Sequence, residues 1–330
     1  MTVFRNLLDA KGYLILDGAM GTQLFDAGLS SGDAPEFWNL DHPDSVSDIH
    51  RSYVAAGSDI VLTNTFGGNR QRLRLHDLHE RVAEVNTAGA KCARVAADEV
   101  DRPVLVAGSM GPTGELLEPL GTLSVADTEA TFAEQAEALE AGGVDLIWIE
   151  TLSDLPTVEA ALSGARRATD LPVVATLSFD TAGRTMMGLT GTEAGQRLSE
   201  LGIDGMGANC GANLADTEAA VADIRAEVGN LPVASKANAG IPIWDRSVLS
   251  YDGTPEVLAA HACRAREAGA NLIGACCGST PAHISMMAEV LAGRVPIPDI
   301  GPPEGTRVNE ATIDPDYRQS GRRSGRRRQG

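Results

Sequence analysis

The sequence predicts a single (β/α)8 barrel with its functional residues at the C-terminal ends of the strands. Three observations lead there. Eight short apolar runs alternate with longer segments of helical spacing, and several of those segments stop at a glycine. The first run lacks the Gly-rich turn that opens a dinucleotide-binding open sheet.

In chain order the runs are 13–16, 59–62, 103–107, 144–149, 172–177, 205–208, 232–235 and 271–275. The first leads into Asp17-Gly18-Ala19-Met20-Gly21-Thr22, which does not have G-x-G-x-x-G spacing. The second leads into Thr63-Asn64-Thr65-Phe66, and the third into Ser109 and Gly111-Pro112-Thr113-Gly114-Glu115. The fourth ends on Glu150, the fifth on Ser178 and the sixth on Asn209-Cys210. The seventh precedes Asn238, and the eighth ends on Cys276-Cys277. Segments 130–142 and 155–168 carry helical spacing, and Gly57, Gly142 and Gly269 stand where helices end. Residues 1–295 are expected to form the barrel, and 296–330 a Pro-rich, then Arg-rich, flexible tail.

Composition narrows the function. The chain has 330 residues, 43% of them hydrophobic, enough for one large core. Net charge is −18, and without the five arginines of 321–330 it deepens to −23. So acidic a body argues against nucleic-acid binding, although the arginine run could hold polyanions or stay solvated. No run reaches the roughly 20 apolar residues that cross a bilayer, and the N-terminus lacks a signal-peptide plan. Five cysteines are too few for a disulfide scaffold, so a reducing, cytoplasmic setting is expected.

The cysteines carry the chemistry. Cys92 and Cys263 fall inside helices beside alanines and read as packed thiols. Cys210, Cys276 and Cys277 all fall at predicted strand ends. Adjacent cysteines pair poorly with each other, because a disulfide needs specific distances and dihedrals. Three thiolates instead suit a zinc ion with its fourth position open, a site fitted to binding and deprotonating another soft thiol. A closed structural site is the alternative reading, with His283 on the following helix as the nearest further donor.

The motifs quoted above resemble the homocysteine S-methyltransferase family, in order, from about Leu14 to Val290. The most specific are the DGAMGT hexapeptide, the split Cys210 and Cys276-Cys277 pattern, and Thr280-Pro281-Ala282-His283. The resemblance implies methylation of homocysteine to methionine, with zinc on Cys210, Cys276 and Cys277. It also implies that Asp17 and Glu150 hold the substrate amino group, while backbone amides from Gly18 onward help receive its carboxylate. Read alone, Asp17 could instead cap its own loop, and Glu150 could be a solvated strand-end acid. Asn64 and Asn209 join the expected substrate-binding set, either orienting the site or forming turns.

The family's donors are betaine, sulfonium compounds such as S-methylmethionine, and methylcobalamin on a corrinoid protein. Betaine or a related onium compound is the first expectation, since Trp38, Phe66, Phe179 and Trp244 are predicted near the mouth of a chain with only thirteen aromatic residues. Against it, Thr151 follows Glu150 where the animal betaine enzymes carry tyrosine. A corrinoid partner or a sulfonium donor is the alternative.

Overall fold

Each predicted apolar run contains a strand, because β-branched and small apolar residues buried on both faces suit a parallel sheet. The computed structural model describes residues 2–245 and 248–303, with side chains outside 242–250. The strands are β1 (Leu14–Ile15), β2 (Ile60–Leu62), β3 (Leu105–Met110), β4 (Leu146–Leu152), β5 (Val173–Leu177), β6 (Gly205–Cys210) and β7 (Val233–Ala237). A hairpin, β8 (Pro242–Asp245) and β9 (Val248–Tyr251), interrupts the alternation before β10 (Leu272–Ala275). The eight barrel strands pair in parallel in the order β1-β10-β7-β6-β5-β4-β3-β2, and a bridge from Leu16 to Ile60 joins the two ends into a ring.

Alternation along the strands separates two cores. Leu14, Leu16, Ile60, Leu62, Leu105, Ala107, Leu146, Trp148, Val174, Ala234 and Leu272 fill the interior, together with Phe4 and Leu8 of the helix Val3–Lys11. Their neighbours Ile15, Val61, Val106, Ile147, Ala175 and Ile273 face outward into the layer beneath the helices. The helices start where the sequence supplies caps. Thr190 and Glu193 form a reciprocal capping box, and Ser124, Asp154 and Asn213 each accept a backbone N–H of the first turn.

The hairpin was not foreseen. Its strands lie in the connection between β7 and the helix Pro255–Glu267 and take no part in the ring. The arginine run of the predicted tail and the side chain of Trp244 lie outside the described residues. Among the described residues no helix is long and apolar enough to cross a membrane.

His50, on the helix Pro43–Ala55, is fully buried, and neither ring nitrogen has a hydrogen-bond partner among the described residues. Burial pulls its pKa down to about 3, whereas an unfolded histidine titrates near 6.5. The unfolded chain therefore binds the extra proton first as pH falls. Stability should be intact above pH ~6.5 and fall by on the order of 1 kcal/mol per pH unit from there toward pH 3. Urea midpoints of wild type and His50→Leu, measured across that range, are expected to diverge, with the flatter profile in the variant.

Candidate metal centre

Strand register builds the centre. The β7 strand lies between β6 and β10, and Ala237 is level with both Cys210 and Ala275. One residue further, Cys276 arrives beside Cys210, and their sulfurs are 3.0 Å apart. The Sγ atoms of Cys210, Cys276 and Cys277 all lie within 4.8 Å of one another. Cys92 and Cys263 are buried elsewhere, as expected.

Two asparagines clamp the cysteines. Asn238, at the end of β7, accepts the Cys277 N–H at 3.1 Å and donates to the Gly211 carbonyl at 3.1 Å, tying both cysteine segments to one strand. Asn209 accepts the Thr151 N–H at 3.0 Å and donates to the Thr151 hydroxyl at 2.6 Å. Its amide also reaches the Cys210 sulfur, at 3.5 Å. Thr151 and Cys210 both hold left-handed backbone, φ 63° and 56°, a conformation that costs a non-glycine residue on the order of 1 kcal/mol or more. The Asn209 side chain thus binds together the two strained strand ends. Behind the pair, Ser279 donates to the Cys276 carbonyl at 2.7 Å and accepts the Ala19 N–H at 2.9 Å.

Gly278 must be glycine on two counts. Its φ is +78°, and a Cβ there would overlap the ring of Tyr251. The Tyr251 hydroxyl lies beside the Cys277 thiol and favours its ionised form. Gly18 is equally confined, since a Cβ would fall 2.5 Å from Ser279 Oγ.

Crowding decides the titration of the thiols. Contacts with Cys210, Cys276 and Tyr251 pull Cys277 down, while contacts with Cys276 and Cys277, together with burial, push Cys210 up. Three thiolates cannot share this volume without a cation. The donor set, three sulfurs converging at strand ends, fits a thiophilic metal ion. His283 does not complete it. Its Nδ1 accepts the Thr280 N–H at 3.0 Å, and its Nε2 contacts the Gly253 carbonyl at 2.9 Å.

Inside the ring lies a group of charges. Asp17 accepts the Lys236 ammonium at 2.8 Å on Oδ1 and the Leu62 N–H at 2.6 Å on Oδ2. Both side chains are 3% exposed. Glu150 is buried too, and its Oε1 accepts Ser109 Oγ at 2.5 Å. Burial, with the negative charges of Cys276 and Asp17, raises Glu150 to about 7 against the opposing pull of Lys236 and Ser109. Burial works against the Lys236 charge, but Asp17, Glu150 and Cys276 together hold its pKa above the usual lysine value. Sequence reasoning missed Lys236. The signal is a lysine two residues beyond the inward-facing Ala234, immediately after the seventh apolar run.

The remaining expected residues divide. Asn64 spends its amide on the Pro35 carbonyl and Asn39 Oδ1 and holds the loop after β2. Trp38 is half-buried and packs beside Leu24 and Val46, with its ring 4.5 Å from that of His42. Phe66 is 37% exposed. Phe179 is fully buried in the outer core.

Residues 14–291 match the family described as Homocysteine S-methyltransferase. The chain belongs to that family. It is 36% identical over 304 residues to a methionine synthase of Mycobacterium tuberculosis, covering 87% of this chain and 25% of that protein. A methionine synthase of Mycobacterium leprae is 35% identical, covering 86% of this chain and 24% of its own length. The chain therefore spans about a quarter of these relatives. Among solved structures, the metallated form of the homocysteine methyltransferase MmuM from Escherichia coli superposes with a TM-score of 0.74 at 25% identity. That match covers 86% of this chain and 98% of MmuM.

Replacing Asn209 by alanine leaves the Thr151 amide unpartnered beside two left-handed residues. The expected cost is about 1–3 kcal/mol of stability, read from denaturant unfolding, together with weaker metal retention in a chelator competition.

Proposed function

We propose that this chain transfers a methyl group to the thiol of homocysteine, giving methionine, with zinc held by Cys210, Cys276 and Cys277. The observation that carries the reading is the convergence of those three sulfurs above a buried acidic group, in a chain of this family. Zinc on three thiolates supplies a Lewis acid that turns a bound thiol into a thiolate at neutral pH. The chain's own residues do the rest by positioning. The Asn209 and Asn238 clamps fix the two cysteine segments. Glu150, with Asp17 nearby, makes the acidic end of the substrate cradle. The homocysteine sulfur then forms a bond to the donor methyl carbon as the donor's bond to that carbon breaks. A neutral amine or sulfide, or cob(I)alamin where the donor is a methylated corrinoid, leaves without needing a proton.

The donor has two readings. Betaine, or another onium compound, wants rings around its cation. Of the four aromatic residues expected to supply them, Phe66 is exposed, Trp38 is half-buried and Phe179 is enclosed in the core. A separate corrinoid protein needs an open face instead. Leu116, Leu120, Met186 and Met187 are exposed on the loops after β3 and β5, on the side of the cysteines, and a groove of about 560 Å³ is lined by Leu116, Leu120 and Met187. Exposed apolar surface of this kind suits a protein partner and favours the corrinoid reading.

The purified chain is expected to carry about one zinc, and Cys276→Ala to lose metal and activity together while its far-ultraviolet dichroism stays the same. Zinc-loaded chain given homocysteine with betaine, S-methylmethionine or a methylated corrinoid protein should form methionine with at least one of them. No methionine from any donor overturns the reading. Because Glu150 is raised to about 7, its ionised fraction falls steadily as pH drops below that value. Homocysteine affinity at fixed ionic strength should therefore weaken by up to about tenfold per pH unit below 7, and Glu150→Gln should flatten that profile.

A further inference from the structure

The interior of the barrel holds two carboxylates and one ammonium, and their hydrogen bonds are unequal. Both Asp17 oxygens are engaged, Oδ1 by Lys236 Nζ at 2.8 Å and Oδ2 by the Leu62 N–H at 2.6 Å. Glu150 has one engaged oxygen, Oε1, which accepts from Ser109. Its Oε2 meets no donor among the described residues. Oε2 is not among the fully enclosed unpartnered atoms, so it stays open to an arriving cation, and a largely buried carboxylate gains from pairing with one. A carboxylate already paired with a lysine gains far less from a second ammonium.

We propose that Lys236 is a specificity-determining positioning residue. By holding Asp17, it leaves Glu150 as the single acceptor for the α-ammonium of the thiol substrate. This assignment rests on the homocysteine reading and divides between the two acids a duty that the family resemblance gives to both. The charges agree with it. Asp17 and Lys236 cancel, so an ionised Glu150 leaves this group with one net negative charge, which one substrate ammonium neutralises. Without Lys236, two acids would compete for that ammonium directly below the thiols. The strand pattern requires this lysine to face inward, since it follows the interior Ala234 by two residues on β7.

The test compares homocysteine with 4-mercaptobutyrate, which has the same thiol and carboxylate but no amino group. Calorimetric binding to the zinc-loaded full chain gives the affinity ratio for each variant. Wild type should prefer homocysteine by about tenfold or more, as expected of a site that loses a charged hydrogen bond with the analogue. Glu150→Gln, which removes a buried charge at almost constant volume, should bring the ratio close to one. Asp17→Asn with Lys236→Met should keep most of the preference. Glu150→Gln with Lys236→Met frees Asp17 and should restore part of it. A merely structural lysine would not produce that recovery. If the preference survives in Glu150→Gln, the assignment is overturned whether or not the double variants fold. If wild-type chain binds neither thiol, the homocysteine reading itself fails.

Discussion

Three sulfurs within 4.8 Å of one another are the constraint on which the rest of this structure depends. Each is a latent negative charge in a half-buried place, and like charges at that range oppose one another's ionisation. The surroundings supply two kinds of relief. Hydrogen bonds from Asn209 and between Cys210 and Cys276 reach the sulfurs from the rim, with the Tyr251 hydroxyl beside Cys277. Below them, the Lys236 ammonium counters Asp17, Glu150 and Cys276 together. A divalent metal ion would complete the compensation, and the donor set is suited to one that prefers sulfur.

Holding three side chains from two separated strands so close also demands rigidity. The β7 strand provides it by standing between β6 and β10, so that one asparagine at its end can bond both cysteine segments. Left-handed backbone at Thr151 and Cys210 turns those strand ends toward the centre, and the Asn209 amide keeps them there. The strain lies at the centre, and the well-packed double core of the barrel sustains it.

Much of this was legible in the chain. All eight apolar runs contain strands, because a strand buried on both faces needs an unbroken apolar segment wherever the ring places it. The rim positions of Cys210, Cys276, Cys277 and Glu150 followed from reading one or two residues past each run. The hairpin of β8 and β9 did not follow, since its few residues serve a local connection and carry no barrel periodicity. Phe179 follows Ser178 at a strand end, yet its side chain turns into the outer core, a direction that run-counting cannot supply.

By itself, the sequence determined the barrel, the family and the identity of the three sulfurs, because period-two burial and strand-end polarity are local properties. Only the tertiary structure decided how the interior charges pair. Lys236 lies 219 residues from Asp17, and nothing local to either predicts their contact. Ring closure puts β1 beside β10 and β10 beside β7, and that geometry alone brings the ammonium to one carboxylate and leaves an oxygen of the other without a donor.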